Sequence, residues 1–422
     1  MHLLSSDEPT ADDNTDPLRG KSRTLGLLAL ASLLAMALWF SGSAVVPQLT
    51  AEWNLSGGQQ SWMTMSVQIG FVVGALLSAS LNVADRLPAH VFFAVSALAG
   101  ATVNAAVAIV APGPWSAIGF RFLTGVTLAG VYPPGMKLVA TWCKEDRGEG
   151  IGLLVGAITV GSALPHLLNA LPVFGEAGGL PPWRTVVLIA SGLAVVGAGI
   201  AFLFLEEGPY LSKATGFNWH HAGEGLRSTP PRLANFGYLG HMWELYAMWT
   251  WVPIFLLASY EAAGWSEQMA RIAGFSVIAI GGVGGYLAGR LADRLGRTRI
   301  TAWSLAVSGT CALIAGLFLS MPGVLTVLCL VWGFAVVADS AQFSAAVSEL
   351  TDPRYVGTAL TVQTSLGFLL TLVTLRAVPP LVDGLGWAGT FPFLAIGPAF
   401  GLWSMLRLRE LPEATQMASG NR

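Results

Sequence analysis

Gly289-Arg290-Leu291-Ala292-Asp293-Arg294-Leu295-Gly296-Arg297-Thr298-Arg299 is the stretch on which the rest of the chain is read. Long apolar runs enter and leave it, so it is a short basic turn joining two hydrophobic segments. Gly296 suits the tight turn, because glycine takes a positive φ without steric cost. Arg290, Arg294, Arg297 and Arg299 keep the turn in water. Asp293 can accept from backbone N–H groups or arginines of a neighbouring helix.

Composition gives the turn its setting. The chain has 422 residues, 54% hydrophobic and 11% charged. A soluble domain needs about 25% charged residues to coat its surface, so most of this surface faces lipid. A net charge of −2 points neither to a nucleic-acid partner nor to an acidic substrate. The three cysteines, Cys143, Cys311 and Cys329, are widely separated, which implies no disulfide framework and no metal site. His220-His221 lacks further ligands and is not read as a metal site. Residues 1–17 are polar and acidic, with Asp7, Glu8, Asp12, Asp13 and Asp16, and cannot bury enough apolar area to order themselves; Arg19, Lys21 and Arg23 follow before the first apolar run. The apolar run that follows is too long for a signal-peptide core and is read as a retained first span.

A bilayer core requires about 20 apolar residues per helix. Such runs place spans 1 to 6 at 25–47, 60–83, 90–111, 115–141, 148–172 and 184–205. Spans 7 to 12 follow at 234–258, 270–291, 300–320, 323–346, 355–379 and 387–408. The fold class is therefore an all-α membrane protein of twelve transmembrane helices in two pseudo-symmetric six-helix halves. A tail (1–24) precedes the first bundle (25–205), a central loop (206–233) joins it to the second (234–408), and a tail (409–422) follows. With the N-terminus inside, all of the 22 lysines and arginines except Arg121, Arg184, Arg271 and Arg376 fall on the cytoplasmic side. The positive-inside bias thus puts both termini in the cytoplasm and the chain in the inner membrane. The halves also repeat: Asp85-Arg86 after span 2 answers Asp293-Arg294 after span 8, and Arg147-x-x-Gly150 before span 5 answers Arg354-x-x-Gly357 before span 11. Duplicated halves are the usual build of secondary transporters, with the substrate site between them.

The turn resembles the signature loop of the major facilitator superfamily, G-x-L-a-D-R-x-G-R-[RK], which in that family recurs after helices 2 and 8. The resemblance implies the twelve-helix fold, alternating access, and a gating role for Gly289, Asp293, Arg294, Gly296 and Arg297. The first copy is decayed: only Asp85 and Arg86 survive in Leu81-Asn82-Val83-Ala84-Asp85-Arg86-Leu87-Pro88-Ala89-His90. Arg121-Phe122-Leu123-Thr124-Gly125 in span 4 is similar to the family's R-x-x-x-G stretch. The antiporter signature of helix 5 is not met, since Ala157 follows Gly152-x-x-x-Gly156 where the family has Pro. Among branches, the chain resembles bacterial nitrate/nitrite-porter-like and cyanate-permease-like facilitators. Spans 2 and 8 hold no arginine before Arg86 and Arg290, which argues against nitrate itself.

Ionisable groups within lipid are functional candidates by default. His241 and Glu244 share one face of span 7, with Glu244 about 15 Å along the helix from Ala234. Asp339 lies about 10 Å along span 10 from Ala346. In the fold the resemblance implies, these residues border a central cavity, with Gln342 one turn from Asp339, and can load and unload a proton. Arg121 and His166, both about 9 Å deep, are expected to bind a carboxylate or another anion, together with Asn169. Tyr132, Gln68, Gln363 and Ser276 are further polar candidates for the cavity wall, as are the aromatics Trp39, Trp243, Trp249 and Trp251.

The reading is a secondary transporter moving a small polar or anionic solute, coupled to protons and working as a monomer, with no cofactor. The alternatives are efflux by proton antiport and a non-transporting sensor. No Ser/His/Asp, HExxH or P-loop set points to an enzyme. The decay of the first copy predicts that Asp293→Asn lowers transport in proteoliposomes more than Asp85→Asn does. Equal losses would show that the two turns share the gate.

Overall fold

The computed structural model describes residues 20–144, 146–171, 181–210, 223–352 and 354–422, apart from the side chains of residues 84, 85 and 224. The tail before residue 20, the loop around His220-His221 and the Asp85 side chain lie outside the described residues. Among the described residues every regular element is a helix. Eight stretches are long and apolar enough to cross a membrane, and the last, Val356–Glu410, contains two spans. Spans 1, 4 and 7 complete the twelve.

The helix ends follow local chemistry. Span 2 (Gly57–Ser80) opens on a capping box, in which Gln59 N donates to Ser56 Oγ and Ser56 N donates to Gln59 Oε1. Span 8 (Glu267–Leu295) is capped by Ser266 Oγ, which accepts from Met269 N. It stops at Gly296, whose φ of 96° needs glycine. Span 3 is Ala89–Val110, span 5 Arg147–Leu168, span 6 Trp183–Phe204, span 7 Thr229–Ala262 and span 9 Arg297–Ala315.

Three spans read as continuous are broken. Span 1 is Lys21–Met36, then turns and a short 3-10 segment Ser43–Val45, then Val46–Trp53. Pro47 cannot donate a backbone bond, so it suits only the start of the second piece. Span 4 divides into Pro114–Leu128 and Tyr132–Trp142, with Pro133 and Pro134 opening the latter. Span 10 divides into Pro322–Ala338 and Ser340–Leu350 around Asp339. Gly386, at φ 66°, ends span 11 within Val356–Leu394, and span 12 runs on through Ile396–Glu410.

Without a hydrophobic drive between helices in lipid, small residues let backbones approach. Spans 2 and 4 meet at Gly70 and Gly125, where a Cβ would fall onto the carbonyls of Phe122 and Val67. Across the two halves, spans 5 and 8 meet through Gly148 and Gly289, Gly152 and Gly285, and Gly156 and Gly282. At the end of the bundle away from the signature turn, Trp183 Nε1 donates to Glu52 at 2.5 Å and Arg184 at 2.9 Å.

Gly70→Ala is expected to lower stability by about 1–3 kcal/mol, because backbone atoms must move. Gly119→Ala, with open space around it, is expected to leave melting in detergent unchanged or raised. Equal melting of both variants would refute this account of the span 2–span 4 contact.

Candidate functional site

The break in span 1 leaves carbonyls at mid-helix without intrahelical donors, and lipid offers none. Arg121 of span 4 supplies them. Its Nη1 donates to Leu38 O at 2.7 Å, Ser41 Oγ at 3.0 Å and Asn104 Oδ1 at 3.0 Å, and its Nη2 donates to Trp39 O. Asn104 of span 3 passes the network to Ser191 of span 6 at 3.0 Å. These partners are all neutral oxygens, and the carbonyl end of Lys21–Met36 supplies a partial negative charge. Arg121 is completely buried and lines neither cavity described below. The sequence expectation of an anion-binding Arg121 meets a side chain committed to span 1.

The broken segment presents Trp39 and Phe40 to the middle of the protein. Trp39 packs against Phe71 (5.3 Å between centroids), Phe368 (5.4 Å) and Tyr246 (5.8 Å). Phe40 stacks on Tyr246 at 6.2 Å and meets Trp249 at 5.8 Å. This aromatic box closes a chamber of about 60 Å³, lined also by Tyr238 and Met242. Phe71, Tyr132 and Ser344 line both the chamber and a larger cavity of about 390 Å³. That cavity runs to the end of the bundle carrying the signature turn, with Lys137, Arg147, Ser348 and Gly357 on its walls. The opposite end is closed where Ser61 Oγ donates to Leu375 O at 3.4 Å and Gly57 abuts Pro379.

The other expected residues fall into three groups. Tyr132 stands on the cavity wall, and Gln363 accepts from Ser344 Oγ at 3.2 Å beside it. Gln68 accepts from Thr371 Oγ1, joining span 2 to span 11. His166 lies 6.4 Å from the Phe40 ring, and Asn169 Nδ2 donates to Ala44 O at 2.7 Å, fastening the 3-10 segment of span 1. Trp243 donates to Phe393 O instead of meeting the chamber.

His241, Glu244, Asp339 and Gln342 are buried but do not line the cavity, so the expectation that they border it is corrected. Tyr238, Met242, Leu245 and Trp249 occupy the cavity side of span 7, which turns His241 and Glu244 into the second half. Glu244 accepts from Trp332 Nε1 at 2.7 Å and Ser308 Oγ at 2.9 Å. His241 Nδ1 lies 2.9 Å from Asp339 Oδ1, close enough for an ion pair but not aligned as a hydrogen bond. Gln342 Oε1 accepts from Arg297 Nη1 at 2.8 Å.

At the signature turn, Arg297 forms a two-pronged pair with Glu349, both contacts 2.7 Å, and lies 3.4 Å from Asp293. The Asp293 carboxylate rests against Gly148 in the first turn of span 5, where a helix N-terminus favours negative charge. Gly289 packs on Gly148 from the same side. Arg294 and Arg86 are exposed. Asn421 Nδ2 donates to Asp293 O at 3.1 Å and Ala418 N to Glu349 Oε2 at 3.2 Å, so the last segment folds over the turn. Glu349, Trp332, Ser308 and the box residues Tyr246 and Phe368 were missed by the sequence reading. The aromatic spacing of spans 7 and 11 was visible, but not which face turns inward.

Two helical halves around a chamber open at one end are the architecture of a membrane transporter. The chain belongs to the Major Facilitator Superfamily, whose family model matches residues 27–375. It is 24% identical over 336 residues to the 4-hydroxybenzoate transporter of Acinetobacter baylyi, covering 71% of each chain. It is 25% identical over 315 residues to the probable nitrate/nitrite antiporter of Thermus thermophilus, covering 71% of this chain and 67% of that one. The niacin transporter of Acinetobacter baylyi is 29% identical over 155 residues, but the chain spans only 34% of its length. In fold it is similar to a bacterial homolog of the human lysosomal transporter Spinster, solved inward-facing and unoccupied. The TM-score is 0.69 at 16% identity, over 94% of this chain and 100% of that one.

Leu38 O also accepts from Ser41 Oγ at 3.0 Å, so Arg121→Leu is expected to destabilise the protein by about 1–3 kcal/mol through the Trp39 carbonyl left bare, read as a lowered melting temperature. Arg121→Lys is expected to recover only part, because an ammonium lacks the guanidinium fork. Wild-type melting of Arg121→Leu would remove the structural role.

Proposed function

We propose that the chain is a proton-coupled secondary transporter of a small aromatic carboxylate, working by alternating access in the inner membrane with both termini in the cytoplasm. The observation that carries this reading is the chamber itself. Its walls are aromatic, and the buried Nε1 groups of Trp39 and Trp249 have no protein partner. Gln68 and Gln363 beside it keep unpartnered amide donors as well. Flat apolar walls with spare N–H donors fit a planar ring carrying an acceptor-rich group. Lys137 and Arg147 on the mouth would draw an anion towards it. The likeness to a 4-hydroxybenzoate transporter and, over a third of its length, to a niacin transporter supports the same substrate class.

His241 and Asp339 would carry the coupling proton, exchanging it with water as the halves 25–205 and 234–408 rock about the chamber. Antiport is the second reading, favoured by the likeness to a probable nitrate/nitrite antiporter. Substrate entry acidifies the vesicle lumen in symport and makes it alkaline in antiport.

Melting of the purified protein with benzoate, 4-hydroxybenzoate and nicotinate, against acetate and nitrate, tests the substrate class. The aromatic acids are expected to raise the melting temperature, and Trp249→Phe to weaken that binding about tenfold through the lost donor. A response to acetate or nitrate alone would overturn the aromatic reading. Uptake indifferent to an imposed pH gradient would overturn the coupling.

A further inference from the structure

The second piece of span 10, Ser340–Leu350, has two faces with different work. Ser340, Ser344, Ala345 and Ser348 line the cavities. Gln342 and Glu349, two helical turns apart and so on one face, both hold Arg297. The piece begins at Asp339, where the α-helix is interrupted and Gln342 N donates to Asp339 O at 2.9 Å. The side chain at that hinge is the one facing His241. One short rigid helix therefore touches the substrate cavity, the buried His–Asp pair and the clamp at the signature turn.

Two further observations mark the arrangement as unsaturated. Gln342 Nε2 is buried without a partner although its Oε1 is engaged. The His241–Asp339 pair is close but unaligned, so a small rotation of the helix changes both contacts together. A fully satisfied buried network would hold one geometry, whereas a partly satisfied one leaves two within reach.

We propose that Ser340–Leu350 is a lever that couples proton occupancy of the His241–Asp339 pair to the Arg297 clamp and the cavity wall, with Gln342 as the positioning residue that transmits the movement. This rests on the proton-coupled reading above. The proton arrives from water at the Asp339 carboxylate and returns to water, with no covalent change. When it is bound, the attraction between Asp339 and His241 falls and the helix is free to turn about its first residue. Gln342 and Glu349 then shift together against Arg297, which Asp293 of span 8 continues to hold, and Ser344 and Ser348 move with the same helix. The titratable and charged groups around the lever are Tyr238, His241 and Glu244 on span 7, Lys137 on span 4 and Arg147 on span 5 across the cavity, Asp293 on span 8, Arg297 on span 9 and Glu349 on the lever itself.

The test needs no substrate. Ser348→Cys, in a background with Cys143, Cys311 and Cys329 replaced, is labelled with a maleimide in proteoliposomes between about pH 5 and pH 8, the range into which burial brings a carboxylate. Rates are normalised to the same thiol in unfolded protein. The normalised rate is expected to change at least about fivefold across the range, as for a typical coupling between sites. Gln342→Leu should flatten the profile, and Gln342→Glu, which keeps an acceptor for Arg297, should preserve it. A pH response retained in Gln342→Leu but abolished in Asp339→Asn overturns the lever and leaves the proton pair standing. A flat profile in the Ser348→Cys parent overturns the proton pair itself. Identical flattening by Gln342→Leu and Gln342→Glu overturns the role assigned to the Arg297 contact.

Discussion

Nothing in a bilayer core can satisfy a bare carbonyl except the protein itself, and Arg121 meets that requirement for the broken first span. The guanidinium reaches backbone oxygens at Leu38 and Trp39 and ties them through Asn104 to spans 3 and 6. A buried cation is costly when its surroundings cannot replace water. Here carbonyl dipoles, a hydroxyl and an amide do so, and the cation in return permits a bend that a continuous helix would not allow. The close approach of Gly42 to the guanidinium shows how little room the arrangement leaves.

That bend decides the character of the chamber. It swings Trp39 and Phe40 between the halves, where they meet Tyr246, Trp249 and Phe368 of the second half. The charges that lipid would be expected to drive into a cavity lie instead behind its walls. Glu244 is enclosed by Trp332 and Ser308, while Gln342 and Glu349 grip Arg297. The wall is thus aromatic and hydroxyl-bearing, with charge behind it and at its mouth. The two signature turns also lie in different settings. The intact copy holds spans 5 and 8 together through Asp293, Gly289 and Gly148, while the cavity opens between spans 2 and 4 and spans 10 and 11.

Much of this was legible in the chain. Apolar runs and the placing of arginines gave the helices and their order, and Gly289–Arg299 gave the family. The unusual residues in the membrane were found as well: Arg121, His241, Glu244, Asp339 and Gln342 all proved buried. Their partners were not found. Helical spacing places His241 and Glu244 on one face, but it does not say whether that face looks at the cavity or at span 9. Proline pairs and Asp339 marked breaks that an apolar-run reading smooths over.

The sequence by itself determined that this is a twelve-helix membrane protein of the superfamily, because hydrophobic length, charge placement and the turn motif are properties of short segments. Only the tertiary structure decided what each polar residue does. The rotation of a helix within a bundle is set by its neighbours, and a rotation of half a turn exchanges a cavity ligand for a structural tie. The signature turn shows both sides: its motif was legible in the chain, but its grip on Gln342 and Glu349 depends on a helix some fifty residues further on, as the 52-residue separation of Arg297 and Glu349 records.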